Sequence, residues 1–173
     1  MLRHAAGAWL LAVLGLIAAC RGPAPEGAAP DPLARFTPGP GAVAARVVRV
    51  VDGDTIIVRL QGRDYRVRYI GIDTPESVDP RREVQCFGRE AAARNRELVE
   101  GKTVWLERDV SETDQHGRLL RYVFVEGRMV NAELVREGYA RAVTFPPDVR
   151  YAELFRALER EAREARRGLW GRC

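Results

Sequence analysis

Val47-Val48-Arg49-Val50-Val51-Asp52-Gly53-Asp54-Thr55-Ile56-Ile57-Val58-Arg59-Leu60-Gln61-Gly62-Arg63-Asp64-Tyr65-Arg66-Val67-Arg68-Tyr69-Ile70 is the stretch on which the reading of the fold turns. A β-branched run ends at Asp52-Gly53-Asp54, and a second, alternating run covers Thr55 to Leu60. Gln61-Gly62-Arg63-Asp64 reads as a hairpin turn. Tyr65, Val67, Tyr69 and Ile70 then make a third strand, with Arg66 and Arg68 on the opposite phase. Three strands in a meander bring Asp54 and Asp73 to the same edge of the sheet. Strand one runs toward that edge, strand two away from it, and strand three back.

Working outward, Asp73 to Gln85 is a charged loop with two prolines. Residues 88–100 predict a helix with Ala91, Ala92, Leu98 and Val99 inward and Gly101 as its stop. Residues 103–106 and 119–125 predict two more strands, separated by a polar, turn-like segment. A short helix is expected over 130–137, closed by Gly138. From Tyr151 on, Leu154, Phe155, Leu158, Ala162 and Ala165 recur at helical spacing, with Glu159 and Arg163 as an outer i,i+4 pair. Gly168-Leu169-Trp170 ends that helix and offers an aromatic to the body. Five strands and three α-helices predict an α+β fold, a Greek-key barrel of the OB type. A sandwich-like arrangement is the competing solution.

The N-terminal segment belongs to a different part of the chain's life. Arg3 and His4 precede an apolar run that stops at Cys20, too short to span a bilayer. Residues 1–20 read as a signal peptide, and Ile17-Ala18-Ala19-Cys20 resembles a bacterial lipobox in which Cys20 carries the lipid. The other reading is an ordinary cleaved signal. Residues 21–43, rich in Pro, Gly and Ala early on, read as a tether, and 44–173 as the domain. The chain is therefore expected to be exported and lipid-anchored to the cell envelope, or else secreted. In an oxidising compartment Cys86 and Cys173 can pair, closing a loop worth about 4 kcal/mol by chain entropy, or remain two free thiols. The net charge of +4, almost all from arginine, favours polyanionic partners. Nothing in the sequence asks for more than a monomer.

The chemistry lies in the acids and arginines. Two carboxylates that close repel one another unless a cation joins them. An oxygen-only set without histidine suits Ca²⁺ or Mg²⁺, with the Thr74 carbonyl and water as further donors to Asp54 and Asp73. Taken alone, Asp52-Gly53-Asp54 is also an ordinary tight turn and Asp73-Thr74-Pro75-Glu76 an ordinary cap. Arg68 precedes Asp73 on the same strand, and Arg118 begins the fifth strand. A guanidinium fork matches phosphate oxygens. Glu76 is a spare carboxylate able to take a proton from an attacking water.

Four segments together, Val50 to Thr55, Arg68 to Glu76, Asp114-Gln115-His116-Gly117-Arg118 and Met129 to Gly138, resemble the staphylococcal (micrococcal) nuclease, or thermonuclease, family. The resemblance covers about residues 44–170. It implies a five-stranded OB barrel with three helices and Ca²⁺-dependent hydrolysis of DNA and RNA to 3′-phosphate ends. It implies Asp54, Asp73 and the Thr74 carbonyl as Ca²⁺ ligands and Asp52 as an outer acid. Arg68 would bind the scissile phosphate, Glu76 would serve as base, and Arg118 would stabilise developing charge and the leaving oxygen. Two places depart from the family. Gln115 and His116 stand where it has a lysine and a tyrosine, and only Phe145 offers an aromatic where it has two tyrosines. His116 and Phe145 are the candidate substrate contacts. The alternative from another class is a non-catalytic nucleic-acid- or protein-binding module on the same barrel.

Overall fold

The computed structural model describes residues 36–77 and 84–173. The signal segment 1–20, the lipobox Cys20 and the tether as far as residue 35 lie outside the described residues. The strands are β1 (Val43–Asp52), β2 (Thr55–Leu60), β3 (Arg63–Tyr69), β4 (Ile72–Asp73), β5 (Thr103–Glu107), β6 (Leu119–Val125), β7 (Arg128–Met129) and β8 (Arg141–Ala142). The helices are α1 (Gly88–Val99), α2 (Val130–Arg136), α3 (Ala152–Glu164) and the single turn α4 (Leu169–Arg172).

The main sheet runs β3-β2-β1-β5-β6-β7. It closes on itself where β3 pairs parallel with β6, Val67 opposite Leu119 and Arg68 opposite Leu120. Closure gives a five-stranded mixed barrel of β1, β2, β3, β5 and β6, which removes the sandwich alternative. The inward phase is Ile56, Val58, Val67, Val104 and Val123, each without solvent exposure. Burying each such side chain contributes roughly 1.5–3 kcal/mol. Strand β1 breaks strict alternation for a local reason. Its register slips between Val47 and Arg49 and again between Val50 and Asp52. Val47 and Val50 therefore face the core while Val48 and Arg49 both face out.

Several boundaries differ from expectation. The β2–β3 turn is only Gln61-Gly62, both at positive φ (50° and 79°), and Arg63 already pairs with Leu60. Strand β3 stops at Tyr69, so Asp73 does not end the third strand. It sits in the separate β4, whose two residues pair with Ala142 and Arg141 of β8. Arg118 precedes β6 rather than opening it. Ala165 is exposed beyond the end of α3, and Glu159 is mostly covered because it also accepts the Ala142 N–H at 3.3 Å. The body begins before residue 44. The Phe36 N–H bonds to the Gly127 carbonyl at 2.8 Å, and its ring packs 6.5 Å from that of Phe124.

Two buried asparagines tie helices to the end of β3. Asn95 of α1 accepts the Tyr69 hydroxyl (2.9 Å) and donates to the Asp52 carbonyl (3.0 Å). Asn131 of α2 donates to the Ile70 carbonyl and accepts the Val123 N–H, both at 2.9 Å. Helix α3 seals the barrel's flank with Phe155 and Leu158, both buried. Trp170 then tucks under Arg163, whose guanidinium carbon is 3.9 Å from the ring centre. Cys86, two residues before α1, is bonded to Cys173 with the Cα atoms 6.0 Å apart and a sequence separation of 87. A loop of that length contributes about 4.5 kcal/mol in the chain-entropy account.

Candidate active site

The β1–β2 turn carries Asp54 to the barrel edge, and the Tyr69 N–H bonds back to the Asp54 carbonyl at 3.0 Å. The Asp54 carboxylate is buried. Its Oδ2 accepts the backbone N–H (2.8 Å) and hydroxyl (3.0 Å) of Thr74, and its Oδ1 accepts the Thr55 hydroxyl (3.0 Å). Gly53 makes this approach possible. A Cβ there would lie 2.7 Å from the Thr74 hydroxyl oxygen, inside any real contact distance. The two acids predicted to share an edge therefore do meet, and they meet on Arg68. Its Nη2 donates to Asp73 Oδ1 at 2.8 Å, and its Nη1 forms an ion pair with Asp54. That Nη1 is buried and has no aligned hydrogen-bond acceptor.

Burial pushes the Arg68 guanidinium below its ordinary pKa, Asp73 opposes that, and the nearby positive charge of Arg118 adds to it. A guanidinium still stays protonated at any physiological pH. Two arginines close enough to repel are an arrangement that an anion between them relieves. The donor chemistry beside them fits a hard cation, because the Asp54 and Asp73 carboxylates and the Thr74 carbonyl are all oxygen. The two acids already converge on one positive centre. Among the described residues no group of three or more His, Cys, Asp or Glu side chains gathers to hold a metal, so water would complete the shell.

Asp52 and Glu76 form the next layer. Asp52 Oδ1 accepts the Gly53 N–H (2.8 Å) and the Ser77 hydroxyl (2.6 Å). Burial pushes the Asp52 carboxyl up; the Ser77 hydroxyl opposes this and the neighbouring Glu76 carboxyl reinforces it. Glu76 is held through its backbone. Its N–H donates to Gln85 Oε1 and its carbonyl accepts the Gln85 N–H, both at 2.9 Å. Gly88, the first residue of α1, completes the clamp, because a Cβ there would stand 2.6 Å from the Glu76 carbonyl oxygen.

Arg118 is placed by Asp114. Asp114 Oδ2 accepts the Arg118 Nε–H at 2.6 Å, and Oδ1 accepts the backbone N–H groups of His116 (2.9 Å) and Arg118 (3.0 Å). Burial alone would raise the Asp114 carboxyl, but these hydrogen bonds and the Arg118 charge win and hold it below the usual carboxylate value. A cavity of about 630 Å³ opens beside the two arginines, lined in part by Arg68, Arg118, His116, Phe145 and Gly71. Phe145 is 69% exposed, and the His116 ring faces the Gln115 amide at 3.3 Å. Asp54, Asp73 and Glu76 are not in its lining; Asp54 and Asp73 flank Arg68.

The structure thus joins Asp54, Asp73, Thr74 and Arg68 directly, sets Arg118 within electrostatic reach, and sets Glu76 beside Asp52. Sequence reasoning gave no role to Asn95, Asn131, Asp114 or Gln85. Asp114 had a signal, since an acid four residues before an arginine with glycine between suits a turn that folds back on itself.

Relatives of known kind bear on what such a site does. The family model described as Staphylococcal nuclease homologue matches residues 66–172. The thermonuclease of Staphylococcus hyicus is 39% identical over 125 residues, 72% of this chain and 74% of that protein. The thermonuclease of Staphylococcus intermedius is 41% identical over 126 residues, 73% and 75% of the two chains. The endonuclease YncB of Bacillus subtilis is 41% identical over 126 residues, covering 72% of this chain and 60% of the relative.

Proposed function

Because the chain belongs to the staphylococcal nuclease family, we propose that it is a Ca²⁺-dependent nuclease cutting phosphodiester bonds of DNA and RNA to leave 3′-phosphate ends. The coarse part, nuclease chemistry, is common ground among relatives named thermonuclease and endonuclease. The observation that carries the reading is Arg68 gripped between Asp54 and Asp73, with Arg118 lining the same cavity.

In this reading a phosphate draws the Arg68 guanidinium toward itself and takes the place of Asp54 and Asp73 as its partner. That releases the two carboxylates, so phosphate and cation reinforce each other's binding. Asp54, Asp73 and the Thr74 carbonyl would hold Ca²⁺, which supplies electrostatic stabilisation of the charge developing on phosphorus. Glu76 orients a water and accepts its proton as the oxygen attacks phosphorus. The bond from phosphorus to the 5′-oxygen breaks, leaving the phosphate on the 3′ side, and the 5′-oxygen takes a proton from solvent. Arg68 and Arg118 hold the phosphoryl oxygens as negative charge grows, an effect typically worth 100- to 1000-fold per donor. All of these groups come from one chain, so the proposed working unit is a monomer.

Digestion of plasmid and single-stranded substrates with Ca²⁺ or with excess chelator, followed by end-group analysis, tests the proposal. Cutting with Ca²⁺ to 3′-phosphate ends is expected. Undiminished cutting in chelator would remove the metal, and 5′-phosphate ends would remove the bond assignment. The location is also a proposal, resting on the lipobox pattern: export with Cys20 as lipid anchor. Cys20→Ser is expected to release the protein from membranes, and unchanged attachment would refute it.

A further inference from the structure

The outer face of β1–β2–β3 carries charge that the proposed chemistry does not use. Cross-strand pairing sorts it into rows. Asp52, Thr55 and Arg68 form the row at the active site. The next row is Arg49, Ile57 and Arg66, and the one beyond is Arg46, Arg59 and Asp64. Arg66 and Arg68 project from the same face of β3, because the intervening Val67 points into the core. Arg59 is neutralised by Asp64 at 2.7 Å. Arg46, Arg49 and Arg66 are exposed and make no ion pair or side-chain hydrogen bond among the described residues.

We propose that these arginines form a track for the phosphates flanking the scissile one, and that its occupant is a single-stranded stretch of polynucleotide. This rests on the nuclease reading above. Three observations support it. The track is continuous with Arg68 along one strand face. The unpaired charge is all positive, so the phosphates it would meet are complementary. Successive rows lie about 6.7 Å apart on a pleated strand. That step is of the same order as the one between neighbouring phosphates of a single strand, so each row can meet one phosphate. The cavity by Phe145 lies toward β6, on the other side of Arg68, leaving room for one unstacked nucleotide there while its neighbours cross the sheet.

The test compares wild type with the Arg49→Gln/Arg66→Gln double variant, using a thymidine 30-mer and a thymidine dinucleotide. Binding is read in EDTA over a range of salt, so it decides the track even for a protein that does not cut. The affinity gained from dinucleotide to 30-mer is expected to shrink about tenfold. The salt slope should fall in magnitude by about 1.4, two contacts at roughly 0.7 each for a single strand. Arg59→Gln, which removes an arginine already neutralised by Asp64, should do much less. An unchanged length dependence and slope would overturn the track. So would loss of binding to phosphatidylglycerol vesicles with oligonucleotide binding intact, which would assign the face to a membrane. Absence of cutting with Ca²⁺ would count against the hydrolytic reading alone.

Discussion

The two halves of the site are built differently. On the acid side, Asp54, Asp52 and Thr74 are buried, each held by at least two hydrogen bonds, and Asn95 anchors the turn from behind. On the cavity side, the side chains of Gln115, His116 and Phe145 stand in solvent on loops, while that of Arg118 is held by Asp114. The difference follows the chemistry. Groups that must meet developing charge need a geometry set in advance, since reorganisation during the reaction costs rate. Groups that meet one base after another gain from adaptability.

The widest gap between the halves should show in catalysis. Glu76→Gln and Arg118→Ala are each expected to lower kcat roughly 100- to 1000-fold with the fold intact, the scale for losing a base or a charge-stabilising donor. Steady-state kinetics on a defined oligonucleotide, with circular dichroism as a control, measures this. A kcat within a few fold of wild type for Glu76→Gln would mean that the rigid half is not the reacting half; the same result for Arg118→Ala would take the arginine of the cavity side out of the reaction.

Next comes the anchor behind the acids. Asn95→Ala would strand the Tyr69 hydroxyl and the Asp52 carbonyl in the interior. At about 1–3 kcal/mol for each of the two buried unsatisfied groups, a loss of roughly 2–6 kcal/mol is expected in urea unfolding. Equal stability in the variant would show that water reaches behind the turn and that the acid edge is less rigid than argued.

How far these differences were legible in the sequence has a physical logic. Strands β1–β3 and β6 and the helix α1 announce themselves because alternation, a 3.6-residue period and terminal glycines are local signals. The pair β4–β8 does not: two residues find partners about seventy positions away, so no periodicity can form. Its effect is to move Asp73 out of β3 while leaving it at the expected edge. Asn95 was hidden for another reason. A lone amide among Ala91, Ala92, Leu98 and Val99 looks like a gap in an apolar face until the Tyr69 hydroxyl and the Asp52 carbonyl appear opposite it. Asp54 and Asp73 were paired by strand parity, and Arg68, Glu76 and Arg118 were singled out by residue type and by resemblance to the family, yet the Arg68 bridge between the acids was not legible. It depends on a side-chain direction that a sequence does not fix.

The hold of Asp114 on Arg118 can be tested by acid. The folded pKa of Asp114 is depressed, so its contribution is fully present above the unfolded carboxylate value near 4 and is lost as pH falls through the lower folded value. Wild type should therefore shed on the order of 1 kcal/mol there as pH drops below about 4, and Asp114→Asn should lack that component. Unfolding free energies between pH 2 and 6 compare the two. Parallel profiles would show that Arg118 is positioned by something other than this carboxylate.

The smallest effect belongs to Phe145. Its ring is mostly in solvent, so Phe145→Ala should leave unfolding within about 0.5 kcal/mol of wild type. Yet the ring borders the cavity, and stacking of a base on an aromatic is worth roughly 1–3 kcal/mol. The variant is therefore expected to raise KM several fold with kcat little changed, the mark of binding that is equal in ground and transition states. A fall in kcat with KM constant would mean instead that the loop around Phe145 orders only as the phosphate reacts. The contrast between a fixed acid edge and an adaptable rim would then have to be redrawn with Phe145 on the fixed side.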